Sequence, residues 1–481
     1  MDKDESRVSL KRAIGTWGSF AMGYADVGAD IYIALGLIAA YAASASPIAL
    51  AIAAITYVST GLCYAELATA YPVAGGGHYY SLKAFGKFHG FVAGWGLMLD
   101  YTIDLALFSL ATVGYIGFVT QLLTHSSILF ISPYYGLTAI ALIMILMALN
   151  LVGISYSSKF NEVIVAIDLI TVSIFAIFGL PYIITSGHLV KWFSDISSSF
   201  ANGIFGKPEQ GWGSFVYAIS LAMASYIGIE SISQAAEETK NPDKVIPRAS
   251  KGAIMAVVIV AILFSLLSVT IIPWQEVANN PQDPAVAVAK GLPVIGPVFF
   301  LWVGAMGALI CYVSTNTGVI GVSRVTFSMG RLALMPKSFS KISSRFKTPY
   351  FTIILFSVIA SLILLLYSAL PGSDLLGIIA SLYNFGALIA YMYVNLSAIV
   401  LRIKEPVKRT WRMPLNIKLK WKGNSYEVSI IPFIGFISSF IVWIIIVGTH
   451  PIGRLLGTIW FVIGIAMYLV YQKISSRKAI K

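Results

Sequence analysis

The sequence predicts an all-α integral membrane protein of about 12 transmembrane helices, built as two mirrored five-helix halves followed by a final pair. Three observations predict it: a strongly apolar composition, a one-sided placement of the basic residues, and two interrupted apolar runs five spans apart. Of 481 residues, 58% are hydrophobic and 11% charged, and the mean hydropathy is +0.82. Soluble domains carry roughly 25% charged residues. So apolar a chain has too little polar surface to cover a globule in water, whereas a bilayer accepts an apolar exterior.

A helix needs about 20 apolar residues to cross the hydrocarbon. Spans are expected near 14–43, 47–70, 89–121, 135–153, 162–186, 212–236, 252–273, 296–323, 350–370, 375–401, 429–448 and 452–471. With the N-terminus inside, the cytoplasmic segments hold 29 of the 33 Lys and Arg residues. The outer segments hold Lys191, Lys207, Lys290 and Arg454. So uneven a split puts both termini in the cytoplasm and supports an even number of spans. The first apolar run is too long for the core of a signal peptide, so no cleaved leader is expected.

The net charge of +12 follows from these loops. No basic, aromatic-interleaved patch points to nucleic acid. Cys63 and Cys311 both lie in apolar runs and read as packing residues, with no disulfide framework or metal spacing. The expected organisation is a cytoplasmic N-terminus (1–13), a first repeat (14–186), an external loop (187–211), and a second repeat (212–401). A basic cytoplasmic loop (402–428), helices 11 and 12 (429–471) and a cytoplasmic tail (472–481) follow.

The first interruption reads Gly23-Tyr24-Ala25-Asp26-Val27-Gly28-Ala29-Asp30 and the second Ser225-Tyr226-Ile227-Gly228-Ile229-Glu230-Ser231. Glycine tolerates unwound backbone, and an acid within a span is costly unless it lines a cavity. Five spans between breaks inverts the second half relative to the first. That is the signature of an inverted-repeat transporter whose site is formed by discontinuous helices. Half-helix N-termini offer N–H groups to a carboxylate, and C-terminal carbonyls face a cation.

Three motifs then resemble the amino acid–polyamine–organocation permease superfamily. The first is Tyr64-Ala65-Glu66-Leu67 with Tyr71-Pro72-Val73-Ala74-Gly75-Gly76, Tyr79 and Ala84-Phe85-Gly86. The second is Gly228-Ile229-Glu230 with Ala236-Glu237-Glu238-Thr239-Lys240-Asn241-Pro242 and Ile246-Pro247-Arg248. The third is Ser323-Arg324, Phe327, Met329 and Arg331 with Pro336 and Pro349. The resemblance covers about residues 14–401. It implies a leucine-transporter-like 5+5 fold with helices 1 and 6 discontinuous, alternating access, and coupling to protons or exchange.

On the family pattern, backbone at Gly28 and Ala29 takes a substrate carboxylate, and backbone near Tyr226, Ile227 and Gly228 takes the amine. Tyr226 also serves as an aromatic gate. Ser314 and Asn316 line the cavity near a cation position, and Tyr383 and Asn384 supply an outer gate. Three positions depart from the pattern. Asp30 stands where a second glycine is usual, Ile229 where an aromatic often follows, and Asp168 where a lysine often replaces sodium. Asp30 would repel a substrate carboxylate unless protonated or turned away, so the departures favour a cation-binding pocket.

Asp26, Asp30, Asp100, Asp104, Asp168 and Glu230 fall deep in the expected spans, with no Lys or Arg at the same depth. A charged side chain at a bilayer centre costs about 2.5–3.5 kcal/mol even on the lenient insertion scale. These acids are therefore expected to be protonated, hydrogen-bonded, or met by a passing cation. Glu66, Glu162 and Glu237 lie nearer the inner face. His78, Arg324 and Arg331 read as structural, and Glu237 and Glu238 with Lys240 as a gate-side charge network.

The leading expectation is a secondary transporter of amino acids or related organic cations in the cell membrane, by proton-coupled symport or exchange. Its partners are the substrate, a proton or cation as coupling ion, and the lipid bilayer. An inorganic-cation carrier such as a potassium transporter is the alternative, motivated by the acidic first span. A non-transporting amino acid sensor is a more remote one. No catalytic residue, cofactor or metal centre is expected, because no nucleophile–base pair, cofactor loop or ligand cluster is present in the sequence.

Overall fold

The computed structural model describes residues 10, 12–201, 213–369, 375–405, 409–421 and 424–479. Helix dominates because backbone N–H and C=O groups in lipid must be satisfied within their own segment. The helices are α1 (Thr16–Ala42), α2 (Ser46–Ala70), α3 (Gly77–Phe85), α4 (Lys87–Thr124), α5 (Tyr134–Val152) and α6 (Ile154–Thr185). Next come α7 (His188–Ala201), α8 (Ser214–Ala224), α9 (Ser231–Gln234), α10 (Pro242–Ile271), α11 (Trp274–Ala278) and α12 (Pro284–Lys290). After α13 (Gly296–Arg331), α14 (Tyr350–Ala369) and α15 (Leu375–Lys404), a hairpin of β1 (Asn416–Trp421) and β2 (Asn424–Ser429) precedes α16 (Ile431–Thr449) and α17 (Pro451–Ala479). Among the described residues, nine helical stretches are long and apolar enough to cross a membrane, the first of them joining α1 and α2. Ser214–Ala224 and Tyr350–Leu366 are shorter apolar helices.

The chain is thus a multi-pass, all-α membrane protein. Its outward faces carry bare apolar side chains that only lipid can cover, among them Ile145 on α5, Ile177 on α6, Leu366 on α14, Ile437 on α16 and Val462 on α17. The inward faces of α1, α4, α13 and α15 carry the polar groups. Small residues let these helices close on one another. A Cβ on Gly96 of α4 would stand 2.7 Å from the Gly386 carbonyl oxygen of α15, so the two helices meet backbone to backbone.

Three expectations need correction. The first helix is continuous: α1 runs through Gly28 without interruption. Gly28 serves packing instead. The Tyr24 ring lies along the flank one turn on, where a Cβ at Gly28 would sit 2.7 Å from the ring carbon Cε1. Gly23 likewise makes room for Ile232. The basic stretch read as a loop holds the β1–β2 hairpin, in antiparallel register from Asn416 opposite Ser429 to Trp421 opposite Asn424. The segment expected as an external loop holds α7, while 202–212 lies outside the described residues.

The sixth apolar segment behaves differently from the first. α8 ends at Ala224, α9 begins at Ser231, and residues 225–230 between them are not helical. Gly228 has φ +133°, a conformation that glycine adopts without strain. A Cβ there would collide with Cβ of Asp26, so α1 crosses directly against the break.

Candidate functional site

The break brings together acids from three elements: Asp26 and Asp30 on α1, Asp100 and Asp104 on α4, and Glu230 at the end of the non-helical segment. None is more than 2% exposed. Asp26 accepts from Ser231 Oγ at 3.0 Å and from Ser314 Oγ at 3.2 Å, which ties α1 to both α9 and α13. Glu230 Oε2 accepts from the Gly228 N–H at 3.2 Å and from the Tyr391 hydroxyl at 2.6 Å. Its Oε1 has no donor. Asp100 is an electrostatic neighbour of Glu230, and among the described residues neither of its own oxygens meets a protein donor. Both oxygens of Asp104, pressed against Gly318, and Oδ2 of Asp30 are also without one.

Five buried carboxyls cannot all be charged in a dry interior without compensation. Among the described residues, the titratable neighbours that act on them electrostatically are one another, the Cys311 thiol and the phenols Tyr57, Tyr64, Tyr101, Tyr383 and Tyr391. Tyr57 and Tyr226 stand with ring centroids 5.2 Å apart, and neither buried hydroxyl has a partner. Unpaired buried polar groups cost about 1–3 kcal/mol each. So many in one place mark a position that something else completes.

The other sequence-derived candidates divide. Ser314 joins the cluster through Asp26. Tyr383 is buried beside the acids with its ring edge on Phe108. Asn384 donates to the Ser220 carbonyl at 2.9 Å and so braces α8. Asp168 stands apart: its oxygens accept from the Tyr24 and Tyr32 hydroxyls at 2.8 and 2.7 Å, so it clamps α1 to α6. Asn316 also points elsewhere. It accepts from Asn150 at 2.7 Å and donates to Asn161 at 2.7 Å, a network binding α13 to α5 and α6. The peptide groups of Gly28 and Ala29 lie inside a continuous helix, where the ladder uses them. Ile227 is buried in the break.

Sequence reasoning missed Tyr391 and Ser231. Tyr391 is two helical turns beyond Tyr383 and so shares its face, a spacing that was available. It also missed the arginines that neutralise Glu66, Glu237 and Glu238. Arg402 makes a bidentate pair with Glu66 at 2.7 and 2.5 Å, and Arg409 approaches the same carboxylate at 3.2 Å. Arg324 pairs with Glu238 at 3.0 Å, both fully buried, and Arg331 with Glu237 at 2.6 Å. Burial pushes the Glu237 carboxyl up, but the hydrogen bonds and charge of Arg331 outweigh it and hold the group below the usual glutamate range. Lys240 takes part through its backbone, donating to the Ile14 carbonyl at 2.9 Å. Ala13 and Ile14 in turn donate to the Glu238 carbonyl. The N-terminal segment is thereby strapped beneath the broken helix.

A lipid-facing helical bundle with a buried, acid-lined break at its centre defines a membrane carrier. The chain belongs to the amino acid permease family, whose model matches residues 14–471. It is 28% identical to the branched-chain amino acid permease BcaP of Bacillus subtilis, over 98% of this chain and 95% of that one. It is 26% identical to the methylthioribose transporter of the same organism, over 97% and 94%. With the vacuolar cationic amino acid transporter 4 of Arabidopsis thaliana it shares 27% identity over 79% of this chain and 61% of the relative. These relatives are transporters rather than enzymes.

Proposed function

We propose that this permease moves amino acids or related organic cations across the cell membrane by alternating access, with proton coupling or exchange. The observation that carries the reading is the set of five buried acids at the helix break, with no cationic side chain among the described residues acting on them. A substrate ammonium supplies the missing charge and the missing donors together. Asp26, Asp30, Asp100, Asp104 and Glu230 take the amine, with the backbone of Tyr226, Ile227 and Gly228 beside them. Ser314 orients Asp26, and Tyr383 and Asn384 act at the outer gate. Asp168 and Asn316 position helices rather than touch substrate. Gly28 and Ala29 take a carboxylate only in a state that unwinds α1.

Residues 14–186 and 212–401 form the two inverted halves, and 429–471 the added pair, which gives 12 crossings. The distribution of Lys and Arg supports cytoplasmic segments at 1–13, 402–428 and 472–481 and an external one at 187–211. Uptake of labelled arginine, lysine and leucine into proteoliposomes, with and without a proton gradient, tests the reading. Transport of none of them contradicts it.

The acid cluster also favours a second reading, transport of an inorganic cation such as potassium. Rescue of cells that lack potassium uptake, with no amino acid uptake, would support that reading over the first.

A further inference from the structure

We infer that the cavity between the N-terminal strap and the start of α6 binds the phosphate headgroup of an anionic phospholipid. The cavity has a volume of about 350 Å³. The strap contributes Arg12 and Lys240 to its lining. The Ala13 and Ile14 N–H groups donate to the Glu238 carbonyl at 2.8 and 3.0 Å, and the Lys240 N–H donates to the Ile14 carbonyl at 2.9 Å. Backbone bonds thus hold the two cations at one rim. The facing wall is Ser155, Ser158, Lys159 and Glu162, whose offsets of three, four and seven put them on one face of α6. The start of α1 packs against that face. A Cβ on Gly18 would stand 2.8 Å from Glu162 Oε1 and 3.0 Å from Ser158 Oγ, and Trp17 Nε1 donates to the Glu162 carbonyl at 3.2 Å.

Three cations here meet one acid. Glu162 is engaged by the Lys159 ammonium at 3.6 Å and by the Ser158 hydroxyl at 3.4 Å. Arg12 and Lys240 form no ion pair among the described residues, so two positive charges remain uncompensated. A guanidinium and an ammonium beside serine hydroxyls form a donor set suited to phosphate oxygens. The position favours a lipid over a soluble anion. With 32 residues, α6 is about 48 Å long at about 1.5 Å per residue, whereas the hydrocarbon is about 30 Å thick. Its end turns therefore reach the headgroup layer. Tyr156, Val163, Ile170, Ile177 and Ile184 recur every seven residues and are each 47–65% exposed, an apolar stripe beside the polar face of the same helix. Acyl chains can lie along that stripe while the phosphate occupies the cavity. Trp17, exposed at the start of α1, suits the same interfacial depth.

The test is native mass spectrometry of the purified full-length protein in detergent, titrated with phosphatidylglycerol, phosphatidylcholine or inorganic phosphate, with thermal midpoints measured in parallel. Phosphatidylglycerol should be retained and should raise the midpoint, and the other two should do neither. Arg12→Gln and Lys240→Gln should each weaken phosphatidylglycerol binding about fivefold, and the triple variant with Lys159→Gln should nearly abolish it. Lys418→Gln with Lys420→Gln removes the charge of two cations from β1 and should leave binding unchanged. All five side chains are exposed, so each variant should keep the midpoint of the lipid-free protein. Undiminished phosphatidylglycerol binding by the triple variant, or an equal loss in the β1 variant, overturns the inference. So does stabilisation by inorganic phosphate equal to that by phosphatidylglycerol, which would make the cavity a site for a soluble anion.

Discussion

The Tyr391 hydroxyl donates to Glu230 Oε2 at 2.6 Å, linking α15 to the non-helical segment of the sixth span. The same hydroxyl lies 3.4 Å from the Gly228 nitrogen, so one phenol steadies both the acid and the turn that carries it. Hydrogen bonds to charged groups contribute about 1.5–3 kcal/mol. Tyr391→Phe should therefore lower substrate affinity roughly tenfold or more while the protein still folds. Equilibrium binding, with gel filtration as the control for folding, checks this.

Gly228 and Gly28 should respond differently to alanine. At Gly228 a methyl group meets both a left-handed φ of +133° and the Asp26 side chain. Strain of this kind costs about 1–3 kcal/mol before the collision is counted. At Gly28 the obstacle is the edge of the Tyr24 ring, which can swing away at the expense of its hydrogen bond to Asp168. Gly228→Ala should abolish uptake, whereas Gly28→Ala should only reduce it. Initial uptake rates in proteoliposomes separate the two.

The buried Arg324–Glu238 pair holds α13 against the segment that follows α9. Removing one member of a buried pair strands the other charge and costs about 3–5 kcal/mol. Glu238→Gln should lower the melting temperature in detergent far more than Glu427→Gln, whose partner Arg412 is about half exposed. A thermal-shift series on the two variants checks the ranking.

His78 gives a pH dependence with a definite sign. Burial pulls its imidazole down to about 4, against the hydrogen bond to the Gly75 carbonyl, which acts the other way. The unfolded chain therefore takes up a proton first as pH falls. Stability is full above about 6.5 and is lost on the way down toward 4, by up to about 1.4 kcal/mol per pH unit. The His78→Gln variant should show a flatter acid limb. Melting temperatures between pH 7.5 and about 5 provide the measurement.

Much of the bundle is legible in the sequence because apolar length is a strong signal and lipid leaves the backbone few alternatives. Helices stand where the runs were expected, and the segment around Gly228 is non-helical as its glycine and acid suggest. Gly28 shows the limit. A glycine between two acids reads as a break, yet here it accommodates the Tyr24 ring, and nothing local announces that Tyr24 reaches Asp168, 144 residues on. The partners of Glu66 were hidden for the same reason, since Arg402 is 336 residues away. The hairpin at 416–429 was obscured by its charges: Lys418 opposite Glu427 reads as polar loop until the register pairs them.

A structure determined with bound arginine tests the central claim most directly. The account predicts a ligand nitrogen within hydrogen-bonding distance, about 2.7–3.2 Å, of carboxylate oxygens from the Asp26, Asp30, Asp100, Asp104 and Glu230 group, against the turn at Gly228. Arginine held elsewhere in the protein, with those five carboxyls still facing only one another, would contradict it.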